Sequence, residues 1–338
     1  GDTMILATIV SNKEAKEGVD FLPLTVDYQE KYASAGRFPG GFFKREAKLS
    51  DYEVLISRIV DRALRPQFPE DYHADTQLML SLISSDKENV PDALVGLAAA
   101  AAIAVSDIPF NGPVSEVRVG KIDGKLIINP TRTQRQLCTI DMIVAASASD
   151  IAMVEGEMSE VSEEEMLEAI KFAHEAIKIQ IKAINDFAVK AGLKPKREYN
   201  HETNDADLKA KVMKETYDAV YAAAKKLDPN KNNRKENFKS PLEEFKKQYS
   251  AEELKEKEAL IKKYYHEVES VAVRRMAIDE KVRLDGRKTD DIRPIWAEVG
   301  YLPSPHGSAV FTRGETQSLT TVTLGTPLDK LKIDGAFN

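Results

Sequence analysis

The 338 residues predict an α+β chain in which a strand-rich segment, an all-helical segment and further strands follow one another. Three observations carry that expectation. Apolar, β-branched runs of strand length recur up to about residue 157 and return after Lys281. Between them, apolar residues recur at helical spacing behind Ser-x-x-Glu signals. Finally, Gly1-Asp2-Thr3 and Gly314-Glu315-Thr316 each open a β-rich run, as expected of a duplicated α+β domain split by a helical insert.

Taken in order, Thr3–Val10 has the composition of a buried strand, and the chain opens inside it. The first domain is therefore expected to lack its lead. Leu78–Ser84 is a second strand, and the alanine-rich stretch Ala93–Val105 is a buried helix too short to span a bilayer. Val114–Val119 and Lys125–Asn129 flank Asp123-Gly124, a hairpin signal. Thr139–Ala146 and Ile151–Glu155 complete a first domain over 1–157.

Ser162 and Glu165 then form a capping box ahead of Met166, Ile170, Ala173, Ile177, Ile181 and Ile184, and Gly192 closes that helix. A second helix is expected from about Asp205 to Leu227 and a third after Ser250, with Asp228–Ser240 as a polar, mobile loop between them. This defines a helical linker domain over 158–280. Strands over Ile295–Val299, Ala309–Thr312 and Leu319–Leu324 begin a last domain over 281–338, expected to be truncated.

Composition excludes more than it selects. With 42% hydrophobic and 30% charged residues the chain is an ordinary globular protein. No basic segment followed by an apolar stretch marks a secretory signal, and the lone Cys138 fits a reducing, cytoplasmic compartment. The five histidines show no metal-ligand spacing. A net charge of -7 argues weakly against nucleic acid, but the average hides a local surplus. Between Lys31 and Pro66, eight cations face only four acids, and they surround Phe42-Phe43. Aromatic faces stack on any base while cations hold phosphates, which is what grip on single strands requires. The alternative is a core Phe pair beside solvated charges; Gly40 and Gly41 favour an exposed loop. Arg58, Arg62 and Arg65 recur at helical spacing, as a phosphate-binding face or an ordinary solvated one would.

Several motifs occur together and in order. Phe21-Leu-Pro-Leu-Thr-Val-Asp-Tyr-Gln-Glu30, Gly36-Arg37, Gly41-Phe-Phe-Lys-Arg-Glu46, Asp61-Arg-Ala-Leu-Arg-Pro66, Ile108-Pro-Phe-Asn-Gly-Pro113 and Met153-Val-Glu-Gly-Glu157 resemble the first RNase PH-like domain of polynucleotide phosphorylases. Arg283-Leu-Asp-Gly-Arg287, Asp291-Ile-Arg293, His306-Gly-Ser-Ala309 and Thr312-Arg-Gly-Glu-Thr-Gln317 resemble the opening of the second. The resemblance covers nearly the whole chain. It implies a ring-shaped homotrimer holding single-stranded RNA, without membrane attachment and with partners in RNA-degradation complexes. It also implies phosphorolysis from the 3′ end with inorganic phosphate and Mg²⁺, and template-independent polymerisation in reverse. RNA contacts are carried over to Arg37, Phe42, Phe43, Lys44 and Arg45, and substrate-phosphate contacts to Arg62, with Arg65 beside it.

The resemblance also predicts where chemistry is missing. The family's active domain pairs a phosphate-binding serine run with Asp-x5-Asp-x-Lys, preplaced for the charge of a transferring phosphoryl group. Here Asp141 fits the second acid, but Arg135 stands six residues before it and Ile143 two after, and Glu88-Asn89-Val90 replaces the serine run. Asp141 is thus expected to be structural, the first domain inactive, and the Mg²⁺ ligands to lie beyond residue 338. His306 near Ser308 lacks a supporting acid and reads as a turn residue; Cys138 reads as core. Two rivals remain: an RNA-binding scaffold without chemistry, and a simple RNase PH-like tRNA-processing enzyme, which the helical insert and the repeat disfavour.

Overall fold

A computed structural model describes residues 1–39 and 48–330. The chain divides between Glu202 and Thr203 into two compact units. In the first, β1 (Met4–Ser11), β2 (Leu24–Glu30), α1 (Asp51–Leu64) and β3 (Thr76–Ser84) build a three-stranded sheet of order β1-β3-β2 with α1 packed on it. β1 and β3 run antiparallel, pairing Leu6 with Ser81 and Val10 with Gln77. β2 lies parallel to β3. The helix α2 (Asp92–Val105) follows, then β4 (Ser115–Ile122), β5 (Lys125–Ile128), the single turn α3 (Arg132–Arg135), β6 (Ile140–Ala146) and β7 (Ile151–Met158). These four strands form an antiparallel sheet of order β5-β4-β6-β7. Asp123 and Gly124, both at positive φ (48° and 77°), make the expected tight turn between β4 and β5.

Alternation explains why β4 and β6 are buried on both sides. Val117, Val119, Met142 and Val144 face one core, while Ile143 and Ala145 join the other, beneath Val95, Ala99 and Ile103 of α2. Gly156 on β7 permits this pairing, since a Cβ there would lie 2.3 Å from that of Met142.

Three expectations need correction. α4 (Glu163–Ala191) starts and ends on its expected caps, Ser162 and a left-handed Gly192. It does not, however, open a separate helical body at residue 158. Its stripe Ala169, Ala173, Ile177 and Ile181 is buried against β4 and β6, so the helix belongs with the first unit. At roughly 1.5–3 kcal/mol for each buried isoleucine, that face is a main support of the sheet. The segment after α4 also stays with this unit: Arg197 donates to Asp107 Oδ1 at 2.7 Å and to the carbonyl of Asn12 at 2.9 Å. The second correction concerns β1, which is not a core strand: Ile5, Ala7 and Ile9 pack inward, but Met4, Leu6 and Val10 are exposed at 58%, 52% and 67%.

In the second unit, α5 (Ala206–Ala224) packs along α7 (Ala251–Glu280), with α6 (Lys231–Lys246) between them in sequence. Leu208, Val212, Val220, Phe245, Ile261, Tyr264 and Val268 form its core. The stretch expected to be a mobile loop over 228–240 is mostly helical, which is the third correction. Asn230 caps α6 by accepting from the amides of Asn232 and Asn233, and Phe238, Leu242 and Phe245 anchor it. β8 (Ile295–Val299), β9 (Gly307–Arg313) and β10 (Thr316–Val322) follow as an antiparallel sheet. No helix among the described residues is long and apolar enough to cross a membrane.

Candidate nucleic-acid interface and the replaced acid site

The basic segment is built on two pinned stems. On one side β2 ends at Glu30 and a short 3-10 turn closes on left-handed Gly36, next to Arg37. On the other, Ser50 caps α1 in a capping box with Glu53. Glu53 joins both stems. Its Oε2 accepts from the Ser50 amide at 2.6 Å, and its Oε1 accepts from the Glu30 amide at 2.7 Å. Phe42, Phe43, Lys44 and Arg45, the residues expected to grip RNA, lie outside the described residues.

The two helix arginines have defined partners. Arg62 forms an exposed ion pair with Glu155 of β7. Arg65 grips Asp61 with two nitrogens at 2.8 and 2.9 Å and donates to the carbonyls of Leu22 and Leu24 at 2.9 and 3.1 Å. Four bonds make Arg65 a clamp between the end of α1 and the start of β2. Among the described residues Arg62 pairs with Glu155 alone, and an exposed pair is worth little against a phosphate.

The replaced acid site is a closed ionic network. Asp141 on β6 and Asp92 at the start of α2 are both buried, and Arg118 on β4 reaches both. Its Nη2 lies 2.6 Å from Asp92 Oδ2, and its Nη1 pairs with Asp141. Arg135 completes the set, with Nε 2.9 Å from Asp141 Oδ2 and Nη1 3.6 Å from Asp92. Two guanidiniums therefore balance two carboxylates. Arg135, six residues before Asp141, shares that carboxylate with Arg118.

Glu116 is left over from that balance. It is fully buried two residues before Arg118, on the same face of β4. Oε1 accepts from the Gly96 amide at 2.7 Å, while Oε2 has no partner among the described residues. Gly96 makes room, since a Cβ there would meet the carboxyl carbon at 2.4 Å. Burial, with the Asp92 charge adding to it, pushes the Glu116 carboxyl up to about 8. Burial likewise raises Glu30 to about 7, opposed by the Tyr28 hydroxyl and reinforced by Glu53.

Sequence reasoning missed Asp92, Arg118, Glu116 and Glu53. No local signal marked Glu116 and Arg118: they alternate with Val117 and Val119 as in a strand with one solvated face, and only the packing of α2 over that face buries them. The remaining candidates behave as turn and packing residues. His306 Nδ1 accepts from the Leu324 amide at 3.0 Å, and Ser308 Oγ accepts from the Leu302 amide at 2.8 Å. Cys138 is half-buried, and burial pushes its thiol up.

Mg²⁺, which the family resemblance implies, does not fit these acids, because Asp92 and Asp141 are both occupied by guanidiniums. Among the described residues no group of three or more His, Cys, Asp or Glu is placed to hold a metal.

A family model described as "3' exoribonuclease family, domain 1" matches residues 1–109 and again 291–337. The double match is the duplication suggested by the Gly-acid-Thr repeat. "3' exoribonuclease family, domain 2" matches 112–176, so it extends into α4, as the packing does. "Polyribonucleotide nucleotidyltransferase, RNA binding domain" matches 207–288. The folded chain is thus of the RNase PH class, with a helical region interposed. Proteins named polyribonucleotide nucleotidyltransferase are 59% identical in Bacteroides fragilis over 99% of this chain, and 59% identical in Cytophaga hutchinsonii over 100% of it. One from Porphyromonas gingivalis is 56% identical over 100% of the chain. The chain belongs to the polyribonucleotide nucleotidyltransferase family. It spans about half the length of the curated relatives it matches, 47% in the first two cases.

Proposed function

We propose that the whole protein is a phosphorolytic 3′-to-5′ exoribonuclease. It releases nucleoside diphosphates from single-stranded RNA, with inorganic phosphate as co-substrate, and runs in reverse as a template-independent polymerase. Within it, residues 1–338 hold RNA and contribute trimer contacts, while Mg²⁺ ligands come from residues after 338. The observation that carries this division is the Asp92–Arg118–Asp141–Arg135 network, in which both carboxylates are neutralised by guanidiniums and offer a metal little. RNA contacts fall to Arg37, Phe42, Phe43, Lys44 and Arg45, with Arg62 in a lesser part.

The trimer contacts are supported by the exposed apolar face of β1 and β3, where Met4, Leu6, Val10, Met79 and Ile83 stand together on the outer side. The first unit, the helical body and the opening of the second RNase PH-like domain form the functional division, a reading supported by the packing of α4 on β4 and β6. The organisation fits a cytoplasmic protein with partners in RNA degradation.

The test is direct. Intact protein with RNA, phosphate and Mg²⁺ should release nucleoside diphosphates, and residues 1–338 alone should release none. Release by the 338-residue chain would refute the inactive reading of its first domain. No release by the intact protein would favour the scaffold reading instead.

A further inference from the structure

α1 lies along the open edge of its sheet. In the order β1-β3-β2, the strand β2 pairs with β3 on one side only, among the described residues. Alternate amides and carbonyls of β2 therefore point away from β3 and need other partners. Side chains of α1 supply them in register. The Tyr28 amide donates to Ser57 Oγ at 2.9 Å, and the Glu30 amide donates to Glu53 Oε1 at 2.7 Å. Residues 28 and 30 share one edge of the strand, and residues 53 and 57, four apart, share one face of the helix. Further along, Arg65 takes the edge carbonyls of Leu24 and Leu22.

Glu53 differs from the other stitches in what it bridges. It is buried, and its second oxygen, Oε2, accepts from the Ser50 amide at 2.6 Å and from the Ser50 hydroxyl at 2.8 Å. One carboxylate thus ties the last residue of β2 to the N-cap of α1. The sequence between these two points carries Arg37 and the other residues expected to hold RNA, and α1 itself carries Arg62. A capping box needs the bonds to Ser50 alone, and glutamine serves in it as well as glutamate. The bond to the Glu30 amide adds nothing to the cap. It fixes one end of the basic segment against the other.

We propose that Glu53 is a positioning residue for RNA binding. By holding both stems at one carboxylate it sets the spacing between the Arg37 side and the α1 side, so that cations from both meet one strand. The inference rests on the RNA-holding reading of the basic segment and gives a role in it to a residue that touches no RNA. Bonds from buried amides to a charged acceptor are stronger than neutral ones, and an amide deprived of its acceptor there is costly. The stems are therefore held more firmly by this side chain than by the neutral Ser57 hydroxyl one turn on.

Glu53→Gln separates capping from bridging. Its single carbonyl oxygen cannot accept from Glu30 and Ser50 at once, so the bridge breaks whichever way the amide turns, while the side chain keeps its size. Glu53→Asp keeps the charge but is one methylene too short to span both amides. Ser50→Ala is the counterpart: it removes the cap hydroxyl and leaves the Glu53 bonds to both amides in place. All three are made in the intact protein and assayed by phosphorolysis of a short polyadenylate with phosphate and Mg²⁺, beside wild type, with circular dichroism to show that each is folded. E53Q and E53D should raise KM for polyadenylate about tenfold, the order of one charge-assisted bond, with kcat unchanged. S50A should lower the thermal midpoint and leave KM where it was. An unchanged KM in whichever Glu53 variant folds would overturn the positioning role and leave the RNA reading standing. A rise in E53Q alone, with E53D like wild type, would also overturn it, by pointing to charge instead of the bridge. So would a rise in S50A equal to that in E53Q, since loss of the cap would then account for both. A wild-type protein that neither binds nor cleaves polyadenylate would sink the RNA reading itself.

Discussion

Glu116→Gln should stabilise the first unit, and by more as pH rises. The carboxyl is fully buried and titrates near 8, against an ordinary value of 4.5 in an unfolded chain. Below pH 4.5 both states bind the proton and the shift has no effect. Above it the unfolded chain ionises while the folded one does not, so stability falls as pH rises, until the folded carboxyl also ionises near pH 8. The loss is about 3 kcal/mol at pH 7 and approaches about 5 kcal/mol above pH 9. Glutamine keeps the shape and the acceptor for the Gly96 amide but never ionises. Its amide nitrogen takes the place of Oε2, which is already unpartnered, so no new orphan group is created. Hydrogen exchange of β4 and β6 amides in increasing urea, at pH 5, 7 and 8.5, reads the effect where it acts. Glu30, which shares the sign, persists in both proteins and cancels in the difference. A variant no more stable than wild type at pH 8.5, or a difference flat across pH, would refute the reasoning.

Arg135→Met should remove one of the two cations on Asp141 without touching the fold elsewhere. Because Arg135 is itself 28% exposed, the cost should be about 1–3 kcal/mol, below the 3–5 kcal/mol of a fully buried pair. Urea unfolding followed by far-UV circular dichroism checks it, and a change below about 0.3 kcal/mol would show that Arg118 alone suffices. Replacing Phe42 and Phe43 with Ala in the intact protein should weaken binding of single-stranded RNA, by about 1–3 kcal/mol for each base that loses its stack. Equal affinity in anisotropy titrations would remove the stacking role.

Local signals reached further along this chain than polar composition did. Ser162 with Glu165, Ser250 with Glu253, and Gly192 mark helix ends in the sequence and form those caps in the structure, because capping is settled within four residues. The 228–240 stretch went the other way. Its Asn, Lys and Asp residues read as a loop, yet Phe238, Leu242 and Phe245 sit at helical spacing and bury a stripe that a polarity average hides. What a stripe covers was not legible either, since the isoleucines of α4 fit any apolar sheet equally well. At the site, Asp92, Arg118 and Asp141 are 26 and 23 residues apart from one another along the chain; the pairing of β4 with β6 brings Arg118 to Asp141, and the packing of α2 on β4 brings Asp92 to Arg118.

The replaced motif shows why the first domain would not regain a metal site through a single change. Asp141, Ile143 and Ala145 point to one side of β6, and that side is packed beneath α2. Ile143 is 1% exposed in this core, where the active pattern would place a lysine. A lysine there would bury a cation beside Arg118 and Arg135, which already balance the two carboxylates. Converting Arg135 back to an acid would instead leave Arg118 facing three carboxylates in a space that keeps Glu116 protonated. Each reversal alone breaks the charge balance, and the lysine also breaks packing. The network is therefore stable against stepwise return to metal binding. The same charge balance is part of what holds β4, β6 and α2 together.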